Sequence, residues 1–386
     1  MAPRRSIFEE VGARPAAAAA PAPGGLIARD TGPARRAIRA WLWVLFALVF
    51  TMIAVGGMTR LTDSGLSITE WRPVTGALPP MTEAAWAEEF DKYRAIPQYQ
   101  LVNRGMSLEE FKVIYWWEWG HRQLGRVIGL VWAVGFVGFL LAKKIPAGWT
   151  PRLLLLGALG GLQGAIGWWM VHSGLQEGMV SVASYRLATH LGLAFAILGL
   201  IAWYAMLLGR SEVELMVARR GAERRLAGMA TGVMHLAFVQ ILLGALVAGI
   251  DAGRGFPTWP LMNGQFFPAD AFYVPGGGGV WHAFFENPGL VQFMHRMAGY
   301  LLFALGLFVW WRGRASAHGA TRTAFDAMAL MLALQVAIGI WTVLVAAAWQ
   351  VAILHQAGAV VLWVLILRAR YLSCYPRAGS IREGTA

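Results

Sequence analysis

Eight apolar stretches dominate the chain, at 41–58, 121–141, 152–171, 187–208, 226–250, 290–311, 324–345 and 350–368. Each is near the roughly 20 residues that a bilayer-spanning helix needs. The pattern predicts an all-α polytopic membrane protein with eight transmembrane helices. The second span has a long approach. Ser107 followed by Glu110 is a capping-box signature, so its helix should start there. No breaker separates Trp116–Trp119 from the apolar 127–141, so about three turns should stand outside the membrane before His121 enters it.

Charge orders the spans. The connections after even-numbered spans are basic: Lys143, Lys144 and Arg152, then Arg210, Arg219, Arg220, Arg224 and Arg225, then Arg312, Arg314 and Arg322. Arg368, Arg370 and Arg377 continue the series in the C-terminal tail. By contrast, 59–120 carries nine acidic and six basic residues, and 251–289 is nearly uncharged. The positive-inside rule then puts both termini in the cytoplasm and both long connections outside.

The second half copies the first. Leu162-Gln163-Gly164-Ala165-Ile166-Gly167 in span 3 matches Leu334-Gln335-Val336-Ala337-Ile338-Gly339 in span 7. Asp63, Gly65, Trp71, Gly76 and Pro80 recur as Asp251, Gly253, Trp259, Gly264 and Pro268, each pair 188 residues apart. This predicts two tandem, pseudo-symmetric four-helix bundles sharing one orientation, 39–210 and 226–371. A cytoplasmic linker at 211–225 would join them, with a disordered tail at 1–38, rich in Ala, Pro, Gly and Arg, and a second tail at 372–386.

Composition agrees, with 57% hydrophobic and 14% charged residues. The net charge of +12 is spread between spans as topology signals, so no nucleic-acid partner is expected. The lone Cys374 excludes an internal disulfide and any cysteine-based zinc or iron–sulfur site.

The repeat also sorts the eight histidines. His121-Arg122-Gln123-Leu124-Gly125 opens span 2, and His295-Arg296-Met297-Ala298-Gly299 lies near the start of span 6. His190 and His355 lie near the starts of spans 4 and 8. All four helices run inward from the outer face, so each half offers one imidazole pair at its outer end. Two imidazoles facing across a helical core are what bis-histidine haem ligation requires. A lone buried histidine is more often a packing residue, but four at matched positions point to ligation. His235 lacks a repeat partner and is assigned to packing or a local hydrogen bond. Arg122 and Arg296 could fork haem propionates or simply snorkel to the interface. Three residues before His121 stands Glu118, where the second half has Gln292. We read this asymmetry as a division of labour in which one half reacts and the other holds a haem.

Together EWGHRQLGR at 118–126, GGMTRLTDSGLSITEW at 56–71, LQGAIGWWMV at 162–171, THLGLA at 189–194, HRMAGY at 295–300 and LHQAGA at 354–359 resemble the haem A synthase family. Its members are eight-helix enzymes that oxidise the methyl group of haem O to the formyl group of haem A for terminal oxidases. The resemblance implies that His295 and His355 hold haem b, that His121 and His190 hold the substrate haem O, and that Glu118 is the catalytic carboxylate. It further implies a bacterial cytoplasmic (inner) membrane location. Membrane lipid, haem O synthase and an electron-transfer partner are the expected partners, with self-association left open. Cysteine pairs found in some members are absent here. The chief alternative, a diheme cytochrome b-like electron carrier, wants two histidines about four turns apart on one helix. No span has them.

Overall fold

The computed structural model describes residues 32–274, 277 and 279–377. Among these, thirteen α-helices follow one another: α1 (Gly32–Leu61), α2 (Glu83–Arg94), α3 (Pro97–Leu101), α4 (Leu108–Leu141), α5 (Thr150–Gly174), α6 (Ser184–Leu208), α7 (Glu212–Arg220), α8 (Arg224–Gly249), α9 (Ala252–Gly255), α10 (Val280–Glu286), α11 (Pro288–Arg314), α12 (Gly319–Leu344) and α13 (Trp349–Cys374). Eight of them, α1, α4, α5, α6, α8, α11, α12 and α13, are long and apolar enough to cross a membrane. The described residues hold no sheet, only an isolated bridge between Met262 and Gln265.

α6 is the most enclosed of these helices, packed by α1, α5, α8 and α13. Its glycines explain how neighbours come so near. A Cβ on Gly199 would stand 2.6 Å from Nε1 of Trp363, which donates to the Phe195 carbonyl at 3.1 Å. Small residues at such crossings let helices associate through close packing where no hydrophobic effect drives them together. α4 and α5 lie at the periphery, with few buried positions.

The capping box forms as predicted. Ser107 Oγ accepts from the Glu110 amide, and the Glu110 carboxylate accepts from the Ser107 amide at 2.8 Å. With 34 residues, α4 outlasts the ~20 that span a bilayer, and its first turns carry a small core of their own. Phe111, Ile114 and Tyr115 pack there with Leu66, Ile68 and the fully buried Tyr93. The Tyr93 hydroxyl donates to Gln98 at 3.1 Å and accepts from Asn103 at 2.7 Å, so its polar tip is satisfied.

Two expected boundaries move. Residues 32–38, assigned to the disordered tail, are the first turns of α1; residues 1–31 of that tail lie outside the described residues. Arg35 accounts for the change: it is buried yet ion-paired to Glu212 at 3.1 Å and bonded to the carbonyls of Leu207 and Arg210. Tertiary partners thus draw a polar, arginine-rich turn into the helix. At the other end α13 runs to Cys374, with Leu372 and Ser373 buried, past the expected limit at 371. The 211–225 linker contains the short helix α7, capped by its own Ser211–Glu214 box.

Asp63 and Asp251, a repeat pair, both adopt left-handed backbone just beyond their spans, at φ 51° and 52°. Arg60 reaches both carboxylates, at 2.6 Å each, and so ties the first long connection to the second.

Candidate haem-binding site

The i, i+3 spacing on α4 puts Glu118 and His121 on one face. Both line a cavity of about 500 Å³ together with Arg122 and His190, within the range of about 300–1,000 Å³ usual for cofactor and small-molecule sites. His172 also faces it, stacked on Trp168 with ring centroids 5.7 Å apart. In the second half His295 and His355 face each other with ring centroids 6.5 Å apart. Two imidazole nitrogens, each about 2 Å from a shared metal and about 1 Å from their own ring centres, would give about 6 Å. His235 makes the local bond expected of it, to the Thr231 carbonyl at 2.9 Å.

All four imidazoles press against glycine. A Cβ on Gly56 would lie 3.1 Å from the His121 ring, and one on Gly244 3.1 Å from that of His295. On Gly167 and Gly339 it would lie 2.9 Å from the rings of His190 and His355. Gly56 and Gly244 share the 188-residue offset, and Gly167 and Gly339 occupy the matched ends of the LQxAIG segments. Sequence repetition is here repeated contact.

Glu118 is 2% exposed and accepts three hydrogen bonds. Ser67 Oγ at 2.7 Å and the Ile68 amide at 2.8 Å reach Oε2, and Arg122 Nη2 at 2.5 Å reaches Oε1. Arg122 also donates to the carbonyls of Ile68 and Glu70, at 2.7 and 2.9 Å. Gln292, equally buried, accepts from Arg296 at 2.9 Å and donates to the Ala252 carbonyl at 3.1 Å, while Arg296 reaches the Phe256 carbonyl at 2.9 Å. Neither arginine is a snorkelling surface cation. Each uses its planar fork to pin the connection after its half's first span onto the helix that carries the first histidine.

Three features escaped the sequence reading. Gln163, Gln240 and Gln335 each donate from Nε2 to the carbonyl of a site histidine, His190, His295 and His355, at 3.0, 3.0 and 2.8 Å. The available signal was their place four residues before each glycine seat, one helical turn away on the same face. Gln356, beside His355, crosses to donate to the Ile53 carbonyl at 2.7 Å and lies against Gly57. No periodicity announces such a contact. Ser67, the hydroxyl partner of Glu118, stands in a connection where serine is unremarked.

These elements define an eight-span helical membrane protein with two imidazole pairs in glycine-walled seats. Comparison with known proteins gives the narrower result. The chain belongs to the COX15-CtaA family, described as cytochrome oxidase assembly proteins, which it matches over residues 39–367. It is 67% identical to "Heme A synthase" of Cereibacter sphaeroides over 99% of both chains. It is 67% identical to the protein of that name from Ruegeria pomeroyi, over 99% of this chain and 100% of the other. Against that of Dinoroseobacter shibae the figure is 62%, over the whole of both chains.

Proposed function

We propose that this chain is the membrane oxidoreductase that converts the methyl group of haem O into the formyl group of haem A for terminal oxidase biogenesis. Family membership over nearly the whole chain supports the reaction. The single structural observation that carries the site reading is the repeated imidazole seat: four histidines, each against a glycine whose Cβ would lie only 2.9–3.1 Å from the ring. Bare side-chain packing does not require a missing Cβ at four matched places. A broad, flat ligand whose two faces each meet an imidazole edge fits that arrangement, because the rings must stand back from the ligand plane.

In this reading His295 and His355 hold haem b, and His121 and His190 hold the substrate. The 6.5 Å spacing of the first pair and the cavity shared by the second support it. The two halves form pseudo-symmetric four-helix bundles, with both termini cytoplasmic and both haem sites toward the outer face, as the loop charges indicate. When bound, haem b supplies one-electron redox chemistry whose potential the protein tunes. Glu118 serves the substrate side. Its Oε2 is occupied by two donors, whereas Oε1 has one, so Oε1 is the oxygen with capacity to take a proton or face developing positive charge. Arg122 and Arg296 act through the connections they pin rather than as free propionate forks.

Purified variants test this. His295→Ala or His355→Ala should deplete bound haem b, whereas His121→Ala or His190→Ala should leave haem b in place and abolish haem A formation. Unchanged haem spectra and turnover in all four would refute the ligand assignment.

A further inference from the structure

Three of the four imidazoles have the same polar clamp, and one does not. Gln163 stands four residues before Gly167 on α5, Gln240 four before Gly244 on α8, and Gln335 four before Gly339 on α12. Beyond its bond to the histidine carbonyl, each amide reaches the ring itself. Gln163 Nε2 lies 3.2 Å from Nδ1 and 3.4 Å from Nε2 of His190, and Gln240 Nε2 lies 3.1 and 3.3 Å from the same atoms of His295. Gln335 Nε2 is 3.2 Å from Nδ1 of His355. An in-plane bond to one ring nitrogen would leave the other about 5 Å away. The near-equal distances therefore place the amide over the ring face at His190 and His295. At each of these two rings the amide and the glycine come from one helix, a turn apart, and both bear on the ring.

The clamp is not a by-product of filling space. Oε1 of all three glutamines is buried without a hydrogen-bond partner. Such an unpaired atom is destabilising, and an apolar side chain of similar length would avoid it. The fourth seat has that apolar side chain. Met52 stands four residues before Gly56, 188 residues before Gln240, and lines the cavity with His121. A thioether has no N–H to give. The His121 ring is turned accordingly: its Nε2 is the atom nearest the Gly56 seat, whereas Cε1 is nearest in the other three.

We propose that Gln163, Gln240 and Gln335 are positioning residues that lock three imidazoles, and that Met52 leaves His121 as the releasable ligand through which the substrate haem is exchanged. This rests on the reading of the four histidines as iron ligands. A site that must accept one haem and surrender another needs one ligand easier to break than the rest, whereas a resident cofactor needs none. Position 52 decides which seat has it.

Carbon monoxide reads this directly, because it binds ferrous iron only after an axial imidazole has left, with no change in oxidation state. The holoprotein, loaded with haem O and reduced with dithionite, is mixed with carbon monoxide, and binding is followed spectrally. One haem should react in the native chain. Met52→Gln should slow that reaction about tenfold, the effect of one ordinary hydrogen bond gained. The converse variant, Gln240→Met, should make haem b reactive while it remains bound. An unchanged rate in Met52→Gln at full haem content overturns the proposal, as does loss of the substrate haem from that variant or an inert haem b in Gln240→Met. Failure of the underlying reading looks different: His121→Ala would then leave the spectrum of the loaded protein unaltered, whatever stands at position 52.

Discussion

Replacing Glu118 by glutamine keeps shape and removes charge, and the contacts of Glu118 set what that does. Both carboxylate oxygens only accept. If the new amide oxygen takes the Oε2 place, Ser67 and Ile68 stay satisfied, but an NH₂ group faces the Arg122 guanidinium. In the other orientation Arg122 keeps an acceptor while the NH₂ meets the Ile68 amide. The Ser67 hydroxyl can turn and accept; a backbone N–H cannot. One buried donor loses its partner either way, which costs about 1–3 kcal/mol. The ion pair adds little beyond that, since Arg122 keeps two carbonyl partners and is 19% exposed. A thermal midpoint lowered by a few degrees is therefore expected, without unfolding. Loss of the basic oxygen should lower haem A formation about 10²-fold or more. The assay measures haem content and product haem in the same purified sample, beside Ser67→Ala. That companion variant removes one hydrogen bond worth about 1 kcal/mol and leaves the carboxylate in place. Haem A formation should survive in it within a few-fold. Normal product from Glu118→Gln, or an equal loss in Ser67→Ala, would refute the catalytic assignment and leave Glu118 as a loop clamp.

The glycine seats predict selective lesions: Gly339→Ala should empty the haem b site and Gly167→Ala the substrate site, whereas Gly138→Ala, with open space around it, should change neither. Pigment extracted from each purified variant checks this, and equal haem content in all three would count against the seats. Arg60→Gln separates the two long connections. Because its aspartate partners are about half exposed, it should cost only about 1 kcal/mol of stability, read as a shift of a few degrees in a melting curve. A reporter fused after Arg322 should lie in the cytoplasm and one inserted near Gly277 outside, and the reverse would invert the orientation of both sites.

The spans were legible because apolar runs of bilayer length have few alternatives, and the start of α4 because Ser107 and Glu110 form a local motif. His121, His190, His295 and His355 were legible through repetition, which turned isolated ambiguous residues into a matched set. What stayed hidden depended on tertiary partners. The first turns of α1 read as tail, because Arg35 looks like a tail residue until Glu212 and two carbonyls surround it. Arg122 and Arg296 offered two plausible roles by type, and their actual partners are loop carbonyls from residues 35 to 54 positions distant. Gln163 and Gln335 were in view within the matched LQxAIG segments, whereas Gln240 stood in no quoted motif. Nothing in an amide's identity says that it lies over an imidazole.

Gln356 gives the molecule a property that neither half has alone. It follows His355 in the chain, yet its side chain rests on α1 at Gly57, one residue from the glycine that backs His121. A twist of α13 that loosened one imidazole would also push the wall behind another. α13 and α1 are thus tied at the point where each bears on an imidazole, and a substitution at position 356 should be felt at both.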